Sequence, residues 1–193
     1  MAGKIAGTIL AILVCCAASV VCAKDQNGMF AVKGVGVLDC QAFIDAAQEV
    51  DRELAQYAGY ITGYVSAVNE VQADTFDLLP WQHVDTVMLL MLQRCRQAPQ
   101  MNFGAAVSQL AAFFEQHKMA SLADRVRVGT GEDDTALYEP VVAEIEAALV
   151  RRGYPTQDLS AALKQFQLDQ KLAGEEPFGQ RTLLTLLYSQ PAD

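Results

Sequence analysis

Three short apolar blocks, punctuated by glycine, constrain the last quarter of this chain more tightly than any other feature. They are Leu149-Val150-Arg151-Arg152-Gly153-Tyr154, then Leu163-Lys164-Gln165-Phe166-Gln167, then Gly179-Gln180-Arg181-Thr182-Leu183-Leu184. Ile145 and Leu149 share one face of a helical period, as do Leu159, Leu163 and Phe166. Tyr138-Glu139-Pro140 opens a first helix, with proline near its first turn. Gly153 supplies its stop, and Tyr154-Pro155 turns the chain. Asp158 or Ser160 can cap a second helix. Gly174 ends that helix and Gly179 precedes a third. The pattern predicts three short helices over residues 138–190. Their core would be Ile145, Leu149, Tyr154, Leu163, Phe166, Leu172, Phe178, Leu183 and Leu187, enough for a marginal domain without a staple.

The other end of the chain sets the compartment. Lys4 is a short basic start, and Ile5 to Val21 is apolar and uncharged. Val21-Cys22-Ala23 closes the run with small residues at the positions a signal peptidase reads. Residues 1–23 are expected to be a secretory signal, cleaved after Ala23. The competing reading is a membrane anchor, but the run is at the short limit for a span and no basic cluster follows it. A lipid-attachment site is disfavoured, because Cys15 follows Val14 and Cys22 follows Val21. The expected location is the periplasm, with no membrane association after cleavage.

Signal removal simplifies the cysteines. Cys15, Cys16 and Cys22 leave, and Cys40 and Cys95 remain. An even pair in an exported chain reads as one disulfide. It would close a loop of about 56 residues, worth roughly 4 kcal/mol on the chain-entropy model. The competing arrangement is two buried free thiols. The formal charge is −9, with no basic cluster, which argues against nucleic acid and anionic membrane surfaces as partners.

Between these ends the pattern is helical. Helices are predicted over Asp39 to Asn69, broken near Tyr57, over Pro80 to Gln97, and over Phe103 to Lys118. Pro80 would sit in a first turn, Asn102 would cap the third helix, and Pro99 would stop the second. Tyr57, Tyr60, Tyr64, Val68 and Val71 fall on one face, read as core. Gly59 and Gly63 beside them mark close helix packing. Asp85, Val87, Leu89, Leu90 and Leu92 make the second helix apolar on several sides, as in a central helix of a bundle. Residues 120–137 hold Arg125-Val126-Arg127 and then Gly129-Thr130-Gly131-Glu132-Asp133-Asp134, and read as a linker. No long β-branched alternation occurs, so strands are not favoured. The expected fold is all-α: a disulfide-tied helical bundle over 37–119, then a small three-helix bundle over 138–190.

Two resemblances rest on these residues. Gly153-Tyr154, Phe166-Gln167 and Gly179-x-x-Thr182-Leu183 make the C-terminal segment resemble a three-helix peptidoglycan-binding domain. The resemblance implies that the aromatic residue and leucines build the bundle and that Thr182 braces the last helix. It also implies a shallow groove that contacts peptidoglycan. The chain departs from the family in two loops. The turn after Tyr154 is short, and Gly174-Glu175-Glu176-Pro177 stands where Asp-Gly is common. Cys40, Gly59-Tyr60, Gly63, Cys95 and Pro99 make residues 37–117 resemble small helical periplasmic proteins that include HdeA and Tai-type immunity proteins. That likeness implies a non-catalytic, disulfide-tied domain that meets another periplasmic protein.

The candidate ligand-binding residues follow from the predicted turns. Thr156 and Gln157, beside Pro155, would form one wall of a groove. Gln180 and Arg181, at the start of the last helix, would form the other and donate to a carboxylate or amide. The competing reading of Arg181 is a solvated surface charge. The two histidines, His83 and His117, sit in no HExxH or HxxxH frame. Nor is there a Gly-x-Ser-x-Gly elbow, a P-loop or a dinucleotide fingerprint. No metal, no cofactor and no catalytic activity are expected. The expected function is association with peptidoglycan plus presentation of a helical interaction domain. The alternative is a periplasmic chaperone or immunity-type protein whose C-terminal bundle no longer binds cell wall.

Overall fold

Side-chain caps mark some of the helix starts, and left-handed turns some of the ends. In the computed structural model, residues 25, 27, 29–49, 52–129, 131–172 and 174–189 are described. The expected signal over 1–23 lies outside them. Two units are distinguished, Met1–Ala31 and Val32–Asp193. In the first, the Asp25 carboxylate accepts from the backbone N–H of Asn27 (2.9 Å) and of Met29 (2.7 Å), closing a turn.

The second unit is all-α apart from one small hairpin. After a 3₁₀ turn at Gly34–Val37 come α1 (Cys40–Glu49), α2 (Arg52–Val71), α3 (Val84–Gln97) and α4 (Phe103–Phe114). Strands β1 (Arg125–Val128) and β2 (Thr135–Tyr138) follow, then α5 (Glu139–Arg151), α6 (Leu159–Asp169) and α7 (Gln180–Tyr188). Among the described residues no helix is long and apolar enough to cross a membrane.

Cys40 and Cys95 are bonded, with Cα atoms 5.0 Å apart. The bridge joins the first residue of α1 to the last turn of α3, and both cysteines are fully buried. Backbone bonds from Cys40 N–H to Met101 O (2.8 Å) and from Phe103 N–H to Leu38 O (2.8 Å) close the same end of the bundle. Phe43, Tyr57 and Phe103 pack their rings 4.8–5.0 Å apart in its core. Helix α3 packs against α1, α2 and α4, but each of these four helices meets the other three, and Leu89 on α3 is exposed, so its apolar sides do not make it central. The Tyr60 ring fills the space above Gly36, where an added Cβ would come within 2.4 Å of its hydroxyl. Any side chain at Gly36 would require the Tyr60 ring to shift.

Several boundaries differ from the sequence-based expectation. Tyr57 lies inside α2, and α1 ends eight residues earlier, at Glu49. Pro80 is not in a first turn, because α3 starts at Val84 with His83 at its N-cap position. The segment before it is held elsewhere: Asp77 and Met119 form a β-bridge, and Trp81 is buried among residues of the C-terminal half. The tyrosine face is only partly core. Tyr57 is buried, Tyr60 and Tyr64 are half-buried, and Val71 is exposed. Gly59 and Gly63 are exposed, and a Cβ at either would meet nothing within 4 Å among the described residues. Close helix packing is not their role within this unit.

Residues 120–137 contain a hairpin. Arg125 pairs with Tyr138, Val126 with Leu137, Arg127 with Ala136 and Val128 with Thr135, antiparallel. Val128 is buried in the C-terminal core, with Val126 and Leu137 packed against it. Those three residues give the hairpin an apolar face, which offsets the poor β-propensity of its charged neighbours.

The C-terminal helices follow their signals. Asn102 caps α4 by accepting from Ala105 N–H (3.3 Å), and Asp158 caps α6 by accepting from Ala161 N–H (3.0 Å). Ser160, the other candidate cap, has a buried hydroxyl with no hydrogen-bond partner among the described residues. Helix α5 ends in a Schellman turn: Tyr154 N–H bonds Leu149 O and Gly153 N–H bonds Val150 O, both 3.0 Å, with Gly153 at φ +82°. Helix α6 ends in the same way, but Lys171 occupies the left-handed position at φ 57°. A side chain there costs about 1–2 kcal/mol relative to glycine. Lys171→Gly should therefore stabilise the protein by about 0.5–1 kcal/mol after the entropy cost of glycine. Urea unfolding at equilibrium checks this, and a lowered midpoint would show that the lysine stem packs usefully.

Candidate functional site

A buried glutamine and threonine set the geometry of the C-terminal loops. Gln167, on α6, donates through Nε2 to Glu175 O (3.0 Å), Glu176 O (2.9 Å) and Thr182 Oγ1 (2.8 Å). Thr182 donates its hydroxyl to Glu176 O (3.1 Å). Thr182 is wholly buried and Gln167 nearly so. The Phe-Gln and Gly-x-x-Thr pairs thus fasten the 174–179 loop to the start of α7. Buried polar groups satisfied in this way hold one conformation.

That loop forms one wall of a cleft of about 580 Å³. The hairpin supplies a second wall through Arg125 and residues 133–137. The Asp77–His83 segment supplies the third. The cleft therefore lies where the N-terminal bundle meets the C-terminal module. Gln180 fixes that meeting: its amide donates to Trp81 O (2.8 Å) and accepts from His83 N–H (2.9 Å). Beside it, Trp81 stacks on Tyr188 at 5.8 Å, and Gln82 donates to the Tyr188 hydroxyl (2.7 Å). The His117 ring meets Tyr188 edge-on at 4.6 Å and places Nδ1 3.0 Å from Glu144 Oε1. Burial, and then Glu144, push the Tyr188 hydroxyl far above its ordinary pKa, against the opposing hydrogen bonds from Gln82 and Trp81. A neutral phenol suits this dry contact.

Of the expected ligand residues, only Gln180 lines this cleft, and its side-chain amide is engaged by the chain's own backbone. Arg181 is exposed and lies 3.4 Å from Glu175. Thr156 is half-buried and Gln157 exposed, both in the turn between α5 and α6 and neither on the cleft. The other two walls of the cleft, the hairpin and the Asp77–His83 segment, carry none of the site residues expected from the sequence. The neighbouring Tyr154 hydroxyl donates to Asp169 (2.7 Å), and burial together with that carboxylate pushes its pKa up to about 12. It is a brace between α5 and α6. Among the described residues no cluster of three or more His, Cys, Asp or Glu could hold a metal ion.

No protein-family model, no curated protein and no solved structure matches the chain.

Proposed function

We propose that this is an exported, non-catalytic protein of the periplasm that associates with peptidoglycan through its C-terminal three-helix module. The N-terminal bundle would present a surface to a second periplasmic protein. The observation that supports the reading is the clamp of Gln167 and Thr182 on the 174–179 loop. It explains in physical terms why the residues that carry the resemblance occur together. It also leaves a preformed loop edge beside an open cleft. A ligand that meets a preformed edge avoids the ordering cost of about 1–2 kcal/mol per residue.

A second reading has its own observation. The amide of Gln180 is taken up in docking the two halves. That suits a chaperone or immunity-type protein whose C-terminal bundle only braces the interaction domain. Co-sedimentation of the mature protein with purified sacculi separates the two. Wall binding predicts retention in the pellet with unchanged sacculus turbidity. It also predicts weaker retention of Arg181→Ala at unchanged circular dichroism, since Arg181 is exposed and its ion pair contributes little to stability. Wild-type protein left entirely in the supernatant would remove the peptidoglycan reading in favour of the second.

A further inference from the structure

Two residues of opposite charge line the interface cleft without an ion-pair partner among the described residues. The ionisable residues on its walls are Asp77, His83, Arg125, Asp133, Asp134 and Glu176. Three of the acids are satisfied inside the chain. Asp77 accepts from the Asn69 amide (3.3 Å) and Leu79 N–H (3.0 Å). Asp133 pairs with Lys164 at 2.6 Å, and Asp134 with Arg127. The guanidinium of Arg125, the carboxylate of Glu176 and the imidazole of His83 make no ion pair or side-chain hydrogen bond among the described residues. Arg125 lies on the hairpin wall, over the Tyr138 ring at 4.5 Å. Glu176 lies on the loop whose backbone Gln167 and Thr182 hold. His83 lies on the third wall, its backbone fixed by Gln180.

We propose that this cleft binds a zwitterionic α-amino-acid group, its carboxylate on Arg125 and its ammonium on Glu176. A guanidinium fork matches a carboxylate in a bidentate geometry, and a carboxylate takes an ammonium as a charge-assisted donor. Two fixed charges of opposite sign are poorly used by a neutral saccharide, which brings only hydroxyl and acetamido groups. The volume of about 580 Å³ holds a group of this size with room for the chain that carries it. The loop and the Asp77–His83 segment are tied by side-chain-to-backbone bonds and the hairpin by its backbone ladder, so little backbone has to be ordered on binding. For the source of the group, the inference rests on the peptidoglycan reading. A diaminopimelate residue whose second amino-acid centre is not cross-linked has this chemistry, and the free amino acid shares it.

The test is a calorimetric and NMR titration of the full mature protein with meso-diaminopimelate. Its N-acetylated and amidated derivatives and a chito-oligosaccharide serve as controls. Saturable binding of the parent compound is expected, weakened about tenfold or more when both of its ammonium groups or both of its carboxylates are blocked. Arg125→Gln and Glu176→Gln should each weaken it to a similar extent. Both positions are exposed, so the unfolding midpoint should hold. Absence of saturable binding, or undiminished binding by both variants, overturns the proposal. Sacculus retention on the same preparations keeps the two readings apart. Retention without amino-acid binding sinks the cleft assignment and leaves the wall reading standing. Amino-acid binding without retention supports the cleft and assigns it to the free compound.

Discussion

Trp81→Ala should lower the stability of the protein by about 3–5 kcal/mol, the range for emptying a buried aromatic site. The side chain is only 6% exposed, although it belongs to a loop rather than to a helix. Its ring reaches into the C-terminal core and stacks on Tyr188. Truncation leaves a cavity lined by residues from both halves of the unit. It also exposes the Tyr188 ring, which Phe113, Phe114 and His117 surround on the other side. Tyr188→Phe is the milder companion. It keeps the ring but removes the partner of Gln82, so a loss of about 1–3 kcal/mol is expected. Urea unfolding followed by far-UV circular dichroism measures both. A Trp81→Ala cost below that of Tyr188→Phe would mean that the tryptophan merely lies over the junction.

What the sequence disclosed was local, and what it withheld was long-range. Asn102, Asp158 and Gly153 act on groups within a few residues of themselves, so their capping roles were legible. Leu149, Leu163 and Leu183 followed from helical period, but on α7 the expected Leu187 is only half-buried and Leu186 is fully buried instead. The hairpin was hidden because β1 is only Arg125-Val126-Arg127-Val128, four residues in which alternate positions carry charge. Its stability comes from Val126, Val128 and Leu137 meeting a core that other segments build. Pro80-Trp81 looked like the start of a helix because proline suits a first turn. Its true partners lie about a hundred residues away: Gln180 bonds the Trp81 carbonyl across 99 positions, and Tyr188 stacks on the Trp81 ring and bonds Gln82 across 106. No periodicity reports such a contact. The same limit applies to the candidate site. Gln180 could be placed at a helix start, but not the backbone that occupies its amide. The cleft needs three separated segments, so only its Phe178–Gln180 edge was visible beforehand.

Cys95→Ala should cost about 2–5 kcal/mol, the range for losing a native disulfide from a small domain. The bridge spans 55 positions and joins the start of α1 to the end of α3. Without it, the open chain gains the freedom of a long loop, while the native helices lose their tie at one end. Cys95→Ser should be worse than Cys95→Ala by about 1–3 kcal/mol, because the position is fully buried and a hydroxyl there finds no ready partner. A serine variant as stable as the alanine one would show that the site opens to water once the bridge is gone. The chain has one tryptophan, Trp81, buried in the C-terminal core but carried by the segment that leads into α3. Its fluorescence therefore reports the junction between the halves. If Gln180, Trp81 and Tyr188 couple the halves, loss of the bridge should shift the fluorescence and circular-dichroism transitions together. A fluorescence midpoint that stays at the wild-type value while the helical signal falls early would show that the C-terminal module keeps its fold, and its hold on Trp81, without the bundle.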